Sequence, residues 1–335
     1  MIFGKRSLVP VILLAFSLLL LSCREITTVT TVNSDGSCDR IVKVKSKHKT
    51  HDDSYFPIPT DSTWTITNTK NEQDTAFYNY TASQTFRDVK SMQATYASYA
   101  DTDEALRLTV ELKKRFGLFF RYYRYREVYD RYSPYDKVPV EDFLTRDELR
   151  IYLSDQDSAE IKDKVEEWRA RAMFEELYQA LVTKSKSLEN PEVTPEKLQA
   201  NKDTLFHSVI ENADSTADVL FELTKILQTY DVTGLRDTID TVLKRIDRDL
   251  DVILQVGAND YTNKVVMPGL LLDTNADAVE GNMATWDFSG KVFEFREKEM
   301  WVQSRLINWW GISFSGLLLL ILLGALIVVA RHRTS

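Results

Sequence analysis

The chain has 335 residues, with 42 Lys and Arg against 50 Asp and Glu and a formal net charge of −8. That acidic balance gives no electrostatic reason to bind nucleic acid. Its 11 Gly, 8 Pro and 11% aromatic content are those of a folded domain rather than a disordered stalk, and 2 cysteines are too few for a disulfide framework.

The chain opens with Lys5 and Arg6, then an uncharged run over residues 7–21, then Ser22 and Cys23. A basic start, an apolar stretch and a small residue before the cut describe an export signal, and the run is short for a membrane span of about 20 residues. Its end, Leu20-Leu21-Ser22-Cys23, resembles the lipobox of bacterial lipoproteins. The resemblance implies that residues 1–22 are removed and that Cys23 is lipidated on its sulfur and then on its new amino group. Cys38 is then left without a disulfide partner, and stability must come from packing.

From residue 24 the pattern is antiparallel sheet. "EITTVTTV" and "CDRIVKVK" are β-branched runs on either side of "NSDGS", where Asp35-Gly36 marks a hairpin turn. "STWTITNTK" and "TAFYNYTASQTF" read as a second hairpin turning at "NEQD". A short helix is expected over 89–96. "EALRLTVELKKRF" and "LFFRYYRYREVY" then give two long strands about Gly117, and "LTRDELRIYL" begins the change to helix.

The middle of the chain is helical. Asp157 and Glu160 have capping-box spacing, and Ile161, Val165, Trp168 and Ala172 recur at helical intervals, continued by Met173, Leu177 and Leu181. Thr194-Pro195 is an N-cap followed by proline at the first helical position. Leu198, Leu205, Val209 and Ile210 form the next stripe. A third helix is expected over 217–229. A fourth carries Leu235, Ile239, Val242, Ile246, Leu250 and Ile253, with Gly257 placed to end it. This region predicts a helical hairpin or bundle, and equally suits an interaction arm.

Strands return as "NKVVMP", "NMATWDF" and "EMWVQSRLIN", the last with Met300, Val302, Ser304 and Leu306 on one face. From Trp309 to Ala330 there are 22 residues without a charge, about 33 Å of helix, then "RHRTS". Trp309 and Trp310 suit an interfacial aromatic belt, and Arg331 and Arg333 place the tail in the cytoplasm. The predicted fold class is α+β, with antiparallel sheet segments flanking a helical hairpin or bundle insertion and one C-terminal transmembrane helix. The expected divisions are a signal at 1–22, a β-rich part at 23–155, helices at 156–257, a β-rich return at 258–308, the span at 309–330 and a tail at 331–335.

On "FFRYYRYREVY" and "VEGNMATWDF…SRLINWW" the ectodomain resembles bacterial envelope lipoproteins that end in a membrane helix. That resemblance spans most of the mature chain and brings no known activity. The export segment and the basic-flanked span at the other end predict a bacterial cytoplasmic (inner) membrane address, with the ectodomain on the extracytoplasmic side.

The chemistry-bearing residues point away from catalysis. His48, His51, Asp52 and Asp53 lie within six residues, but strand residues three apart face opposite sides and no later His or Cys completes a metal set. Ser46-Lys-His-Lys49 matches a Ser-x-x-Lys pattern without its companion motifs. There is no phosphate loop, GxSxG, HExxH or glycine-rich dinucleotide turn. No cofactor and no catalytic residue is assigned. The most individual stretch is "RFGLFFRYYRYREVYDRYSPY", residues 115–135. Arg121, Tyr123, Arg124, Tyr125 and Arg126 form a candidate ligand-binding set, with aromatics for stacking and arginines for an anionic group. The competing reading is a sheet packed on both faces with arginine stems across tyrosine rings. The expected function is a membrane-anchored envelope lipoprotein whose extracytoplasmic domain binds or scaffolds. Its expected partners are membrane lipid and either an envelope protein on the helical region or an anionic envelope polymer, with no nucleic acid among them. A membrane-tethered hydrolase acting on an envelope polymer is the alternative.

Overall fold

A computed structural model of the chain describes residues 24–49, 56–72, 74–99, 106–133, 135–188, 192–229 and 231–334, with side chains to residue 327. Cys23 and the export-type segment before it lie outside the described residues, as do His51, Asp52 and Asp53.

In chain order the first elements are β1 (Glu25–Val32), β2 (Cys38–Ser46), β3 (Thr65–Lys70), β4 (Tyr78–Phe86), α1 (Val89–Tyr99), β5 (Leu108–Phe116) and β6 (Phe120–Tyr129). Six helices follow: α2 (Arg146–Leu153), α3 (Ala159–Ser185), α4 (Pro195–Ala200), α5 (Lys202–Asn212), α6 (Thr216–Leu227) and α7 (Arg236–Gly257). The chain ends with β7 (Asp260–Val266), β8 (Leu270–Thr274), β9 (Ala278–Glu280), β10 (Met283–Ser289), α8 (Val292–Phe295), β11 (Lys298–Ile307) and α9 (Trp309–Thr334). The fold is α+β, and it divides into two compact units. One holds residues 25–130, 261–287 and 297–335; the other holds 131–260 and 288–296, with Arg24.

The first unit carries two sheets, of order β3-β4-β2-β1-β7-β10-β9 and β5-β6-β11-β8. β1 and β2 pair antiparallel from Glu25↔Lys45 to Val32↔Cys38, and alternate residues of both are buried. The turn needs Gly36, whose φ of +100° is the left-handed region, and a Cβ there would strike the Lys114 side chain. β2 pairs β4 in turn, and β4 pairs β3. The second hairpin turns over seven residues rather than four, since Asn71 N–H donates to Phe77 O at 2.9 Å and β4 starts at Tyr78. In the other sheet β6 is paired on both sides, with β5 from Leu108↔Tyr129 to Phe116↔Arg121 and with β11 from Lys298↔Tyr129 to Ile307↔Phe120. β8 and β9 lack the apolar alternation that marks a half-buried strand, and exposed Leu270, Leu272 and Val279 lie on them.

The helical unit has two apolar clusters. Leu177, Leu181, Leu198, Leu205, Leu223 and Ile239 centre the larger, drawn from α3 to α7. Tyr135, Val165, Trp168, Ile253 and Phe295 centre the smaller. The 27 residues of α3 serve both clusters, which accounts for apolar residues around much of its circumference. Its N-cap is Ser158, whose hydroxyl accepts from Ile161 N–H, one residue beyond the Asp157–Glu160 spacing read from the sequence. A full capping box stands instead at Thr145 and Glu148 of α2. Thr194 caps α4 with Pro195 after it, as the sequence predicts.

Candidate functional site

Strand pleat sends alternate β6 side chains to opposite faces, and this divides the five sequence-predicted residues. Tyr123 and Tyr125 point inward, 2% and 0% exposed, with Glu127 and Tyr129 on the same parity. Tyr123 Oη donates to Ser34 O at 2.8 Å. Arg124 and Arg126 point outward into a shallow groove of about 270 Å³, lined with Glu111 and Lys113. Arg121 stands apart at the end of the strand, its guanidinium 5.8 Å from the Phe116 ring centre and 3.5 Å from Asn308 Oδ1. The structure therefore brings Arg124 and Arg126 together and does not bring the tyrosines to them.

The groove is built by cross-strand register. Arg124 lies between Lys113 of β5 and Gln303 of β11, and Arg126 between Glu111 and Trp301. The Arg124 guanidinium sits 5.4 Å from the Trp301 ring centre, a cation–π placement at the groove wall. Arg126 donates from Nε to Glu299. That hydrogen bond, reinforced by the Glu299 and Glu111 charges, raises the Arg126 pKa above the ordinary guanidinium value. Lys113 lies 3.4 Å from Glu111. Arg126 is held by Glu299 and Lys113 by Glu111, whereas Arg124 makes no ion pair among the described residues. Its geometry suits one anionic oxygen group laid against an aromatic ring.

Behind β6 lies a second polar constellation, which sequence reading did not single out. Arg40 of β2 and Glu127 are both 0% exposed, and they form a bidentate pair with Nη1–Oε2 at 2.9 Å and Nη2–Oε1 at 2.8 Å. Arg40 also donates to Thr30 and to Tyr129, while Tyr125 Oη donates to Glu127 at 2.8 Å. Burial opposes charge on Glu127, but the Arg40 charge and the hydrogen bonds from Arg40 and Tyr125 outweigh it and hold the carboxyl below its ordinary pKa. Burial, with Glu127 adding to it, pushes the Tyr125 and Tyr129 phenols well above theirs. This network is buried, a cross-sheet brace in which Arg40 Nε is left without a hydrogen-bond partner among the described residues. The signal for it was present: Arg40 and Glu127 fall on the apolar parity of their strands, where a charge requires a partner.

Among the described residues, no group of three or more His, Cys, Asp and Glu side chains could hold a metal ion. In the helical unit, Phe221 of α6 is the exposed large apolar side chain among the described residues, 66% exposed beside Thr224, Lys225 and Gln228. α9 is long and apolar enough to cross a membrane: Trp309–Ile327 has a mean hydropathy of 2.3 and is 6% buried.

No protein-family model matches the chain. No curated protein matches it. Among solved structures, the folded domain of LppM from Mycobacterium tuberculosis, determined by NMR, is similar at a TM-score of 0.31 and 9% identity, over 85% of this chain and 91% of that one. A likeness at that level carries no argument about function.

Proposed function

We propose that the protein is an envelope lipoprotein anchored at both ends, by an acylated Cys23 and by α9, whose sheet unit binds an anionic envelope polymer at the Arg124 groove. The observation that carries the reading is α9. Its 19-residue window from Trp309 to Ile327 is 6% buried, and it follows β11 after the single residue Asn308. Each large apolar side chain held in water forgoes about 1.5–3 kcal/mol, so a run of this length belongs in lipid. Beside that anchor, an outward arginine laid on Trp301 suits a phosphate or carboxylate on a repeating polymer.

Two measurements test the two halves. Cys23→Ser is expected to abolish incorporation of radiolabelled fatty acid and signal removal by the lipoprotein route, while α9 keeps the protein in carbonate-washed membranes. Equal labelling of the mutant overturns lipidation at Cys23. Arg124→Gln is expected to weaken retention on anionic wall polymer while changing stability by less than about 1 kcal/mol, as for an exposed charge. Unchanged retention overturns the groove.

A further inference from the structure

The β5–β6 hairpin tip is unusual in what it exposes and in where it sits. Phe116 is 70% exposed, Leu118 56% and Phe119 48%, three large apolar side chains within four residues. Single exposed apolar residues need no explanation, but a contiguous cluster does. The tip is held against the start of α9 through Asn308. The Asn308 backbone N–H donates to Phe119 O at 2.9 Å, and its Nδ2 donates to Gly117 O at 3.1 Å and to Leu118 O at 3.2 Å. A turn further on, Gly311 lies so close that a Cβ there would fall 1.6 Å from Leu118 O. The helix and the hairpin tip are thus clasped backbone to backbone at one level.

That level is where α9 would enter a bilayer. Trp309 and Trp310 are 68% and 75% exposed, and amphipathic rings of this kind settle at the headgroup boundary. Ile307 is 44% exposed and pairs across the sheet with Phe120. The flanking charge agrees. Between Glu111 and Glu127 the hairpin carries six basic residues, Lys113, Lys114, Arg115, Arg121, Arg124 and Arg126, and no acidic one, in a chain of net charge −8. Arg121 stands over Phe116, and Arg305 over Phe120 at 4.8 Å, with apolar rings beneath and charged heads at the rim. Such a side chain lays its stem on apolar surface while its head meets a phosphate.

We infer that the hairpin tip, Phe116 to Phe119, is a lipid-inserting element that enters the headgroup region of the same membrane α9 crosses, with Arg121 and its basic neighbours on anionic headgroups. The inference rests on α9 being a membrane anchor. The tip then fixes the sheet unit at a set height and tilt, because Asn308 joins both insertions without a flexible linker. This is how a single span can orient a domain rather than merely tether it.

The test uses the full-length protein in vesicles of phosphatidylcholine and phosphatidylglycerol. Leu118→Cys is labelled with an environment-sensitive maleimide dye, and the unsubstituted protein labelled alike supplies the blank. Cys38 is buried and its thiol is pushed up to about 11 by that burial, so it does not compete for the dye. Glu297→Cys serves as the water-exposed control, since Glu297 precedes the ten-residue β11 at the end away from α9, about 33 Å along the strand. The expected result is a blue-shifted emission at position 118, lost when the lipids carry a shallow quencher, with neither change at position 297. Water-like emission at 118 overturns the inference. So does a blue shift that lipid quenchers leave intact, which would mean that a protein surface covers the tip. Carbonate extraction of the same vesicles reads the anchor separately. Resistance with an unquenched tip overturns the hairpin alone. Extraction with a quenched tip overturns the anchor and leaves the hairpin's lipid contact standing. Extraction with an unquenched tip overturns both.

Discussion

Arg40 and Glu127 show how one sheet position can govern a core. Both are 0% exposed and meet through two parallel hydrogen bonds of 2.9 and 2.8 Å. Desolvating two charges offsets most of what their attraction contributes, so the pair is a weak source of net stability but a severe penalty once broken. Glu127→Ala, which leaves the arginine buried and alone, is expected to cost about 3–5 kcal/mol; the joint replacement Arg40→Met with Glu127→Leu is expected to cost far less or to stabilise. Thermal unfolding of the detergent-solubilised protein compares them. Equal losses would mean that the pair itself, not its completeness, supports the sheets. The direction of the pKa shift adds a pH dependence. Glu127 sits below its ordinary value in the folded protein, so its contribution is present above the unfolded carboxyl range near about 4.3 and fades as pH falls through the lower folded value. The Glu127→Ala variant should therefore lose less stability on acidification than the parent. Tyr125, 0% exposed, belongs to the same unit, and Tyr125→Ala should cost about 3–5 kcal/mol through the cavity it opens.

At the scale of elements, what the sequence made legible was whatever depends on near neighbours. The four main helical stripes, the Thr194 cap, the Asp35-Gly36 hairpin and the alternation in β11 all appear close to where their patterns place them. Two strands, β8 and β9, were not legible, because short exposed runs carry no periodicity. The cap of α3 falls one residue beyond the sequence spacing, on Ser158, whose hydroxyl accepts from Ile161 N–H, while Asp157 lies 3.5 Å from Lys162. The true capping box, Thr145 with Glu148, is reinforced by Lys164: its hydrogen bond, with those from Thr145, holds the Glu148 carboxyl down to about 2. Comparing a cap with a core position tells which force keeps the helical unit together. Thr145→Ala is expected to cost about 1 kcal/mol and Leu223→Ala, at a 0% exposed site, about 2–5. Far-ultraviolet circular dichroism during heating of both variants checks this. A cap effect as large as the core effect would mean that helix termini, rather than packing, limit stability.

For the whole molecule, the candidate groove was only half legible, and the reason is distance along the chain. The parity of β6 could be read from its own residues, but Trp301 and Glu299 come to Arg124 and Arg126 from more than 170 positions away through a register no local pattern encodes. Asn308 is further still from the hairpin it clasps. The orientation proposed for α9 across a membrane, by contrast, rests on local charge. No charge falls between Trp309 and Ala330, and Arg331 and Arg333 follow at once. Basic residues beside a span stay on the cytoplasmic side. An enzymatic reporter that folds only outside the cytoplasm should therefore be active when fused after Asn308, with the export segment intact and α9 removed. Fused after Ser335 it should be silent, because α9 would hold it inside. Activity at both junctions would show that α9 does not span. Silence at both would show that the first hydrophobic run does not export the chain. Replacing the basic flank with Arg331→Glu and Arg333→Glu should raise activity of the Ser335 fusion, since the basic flank rather than the apolar length sets which end stays inside.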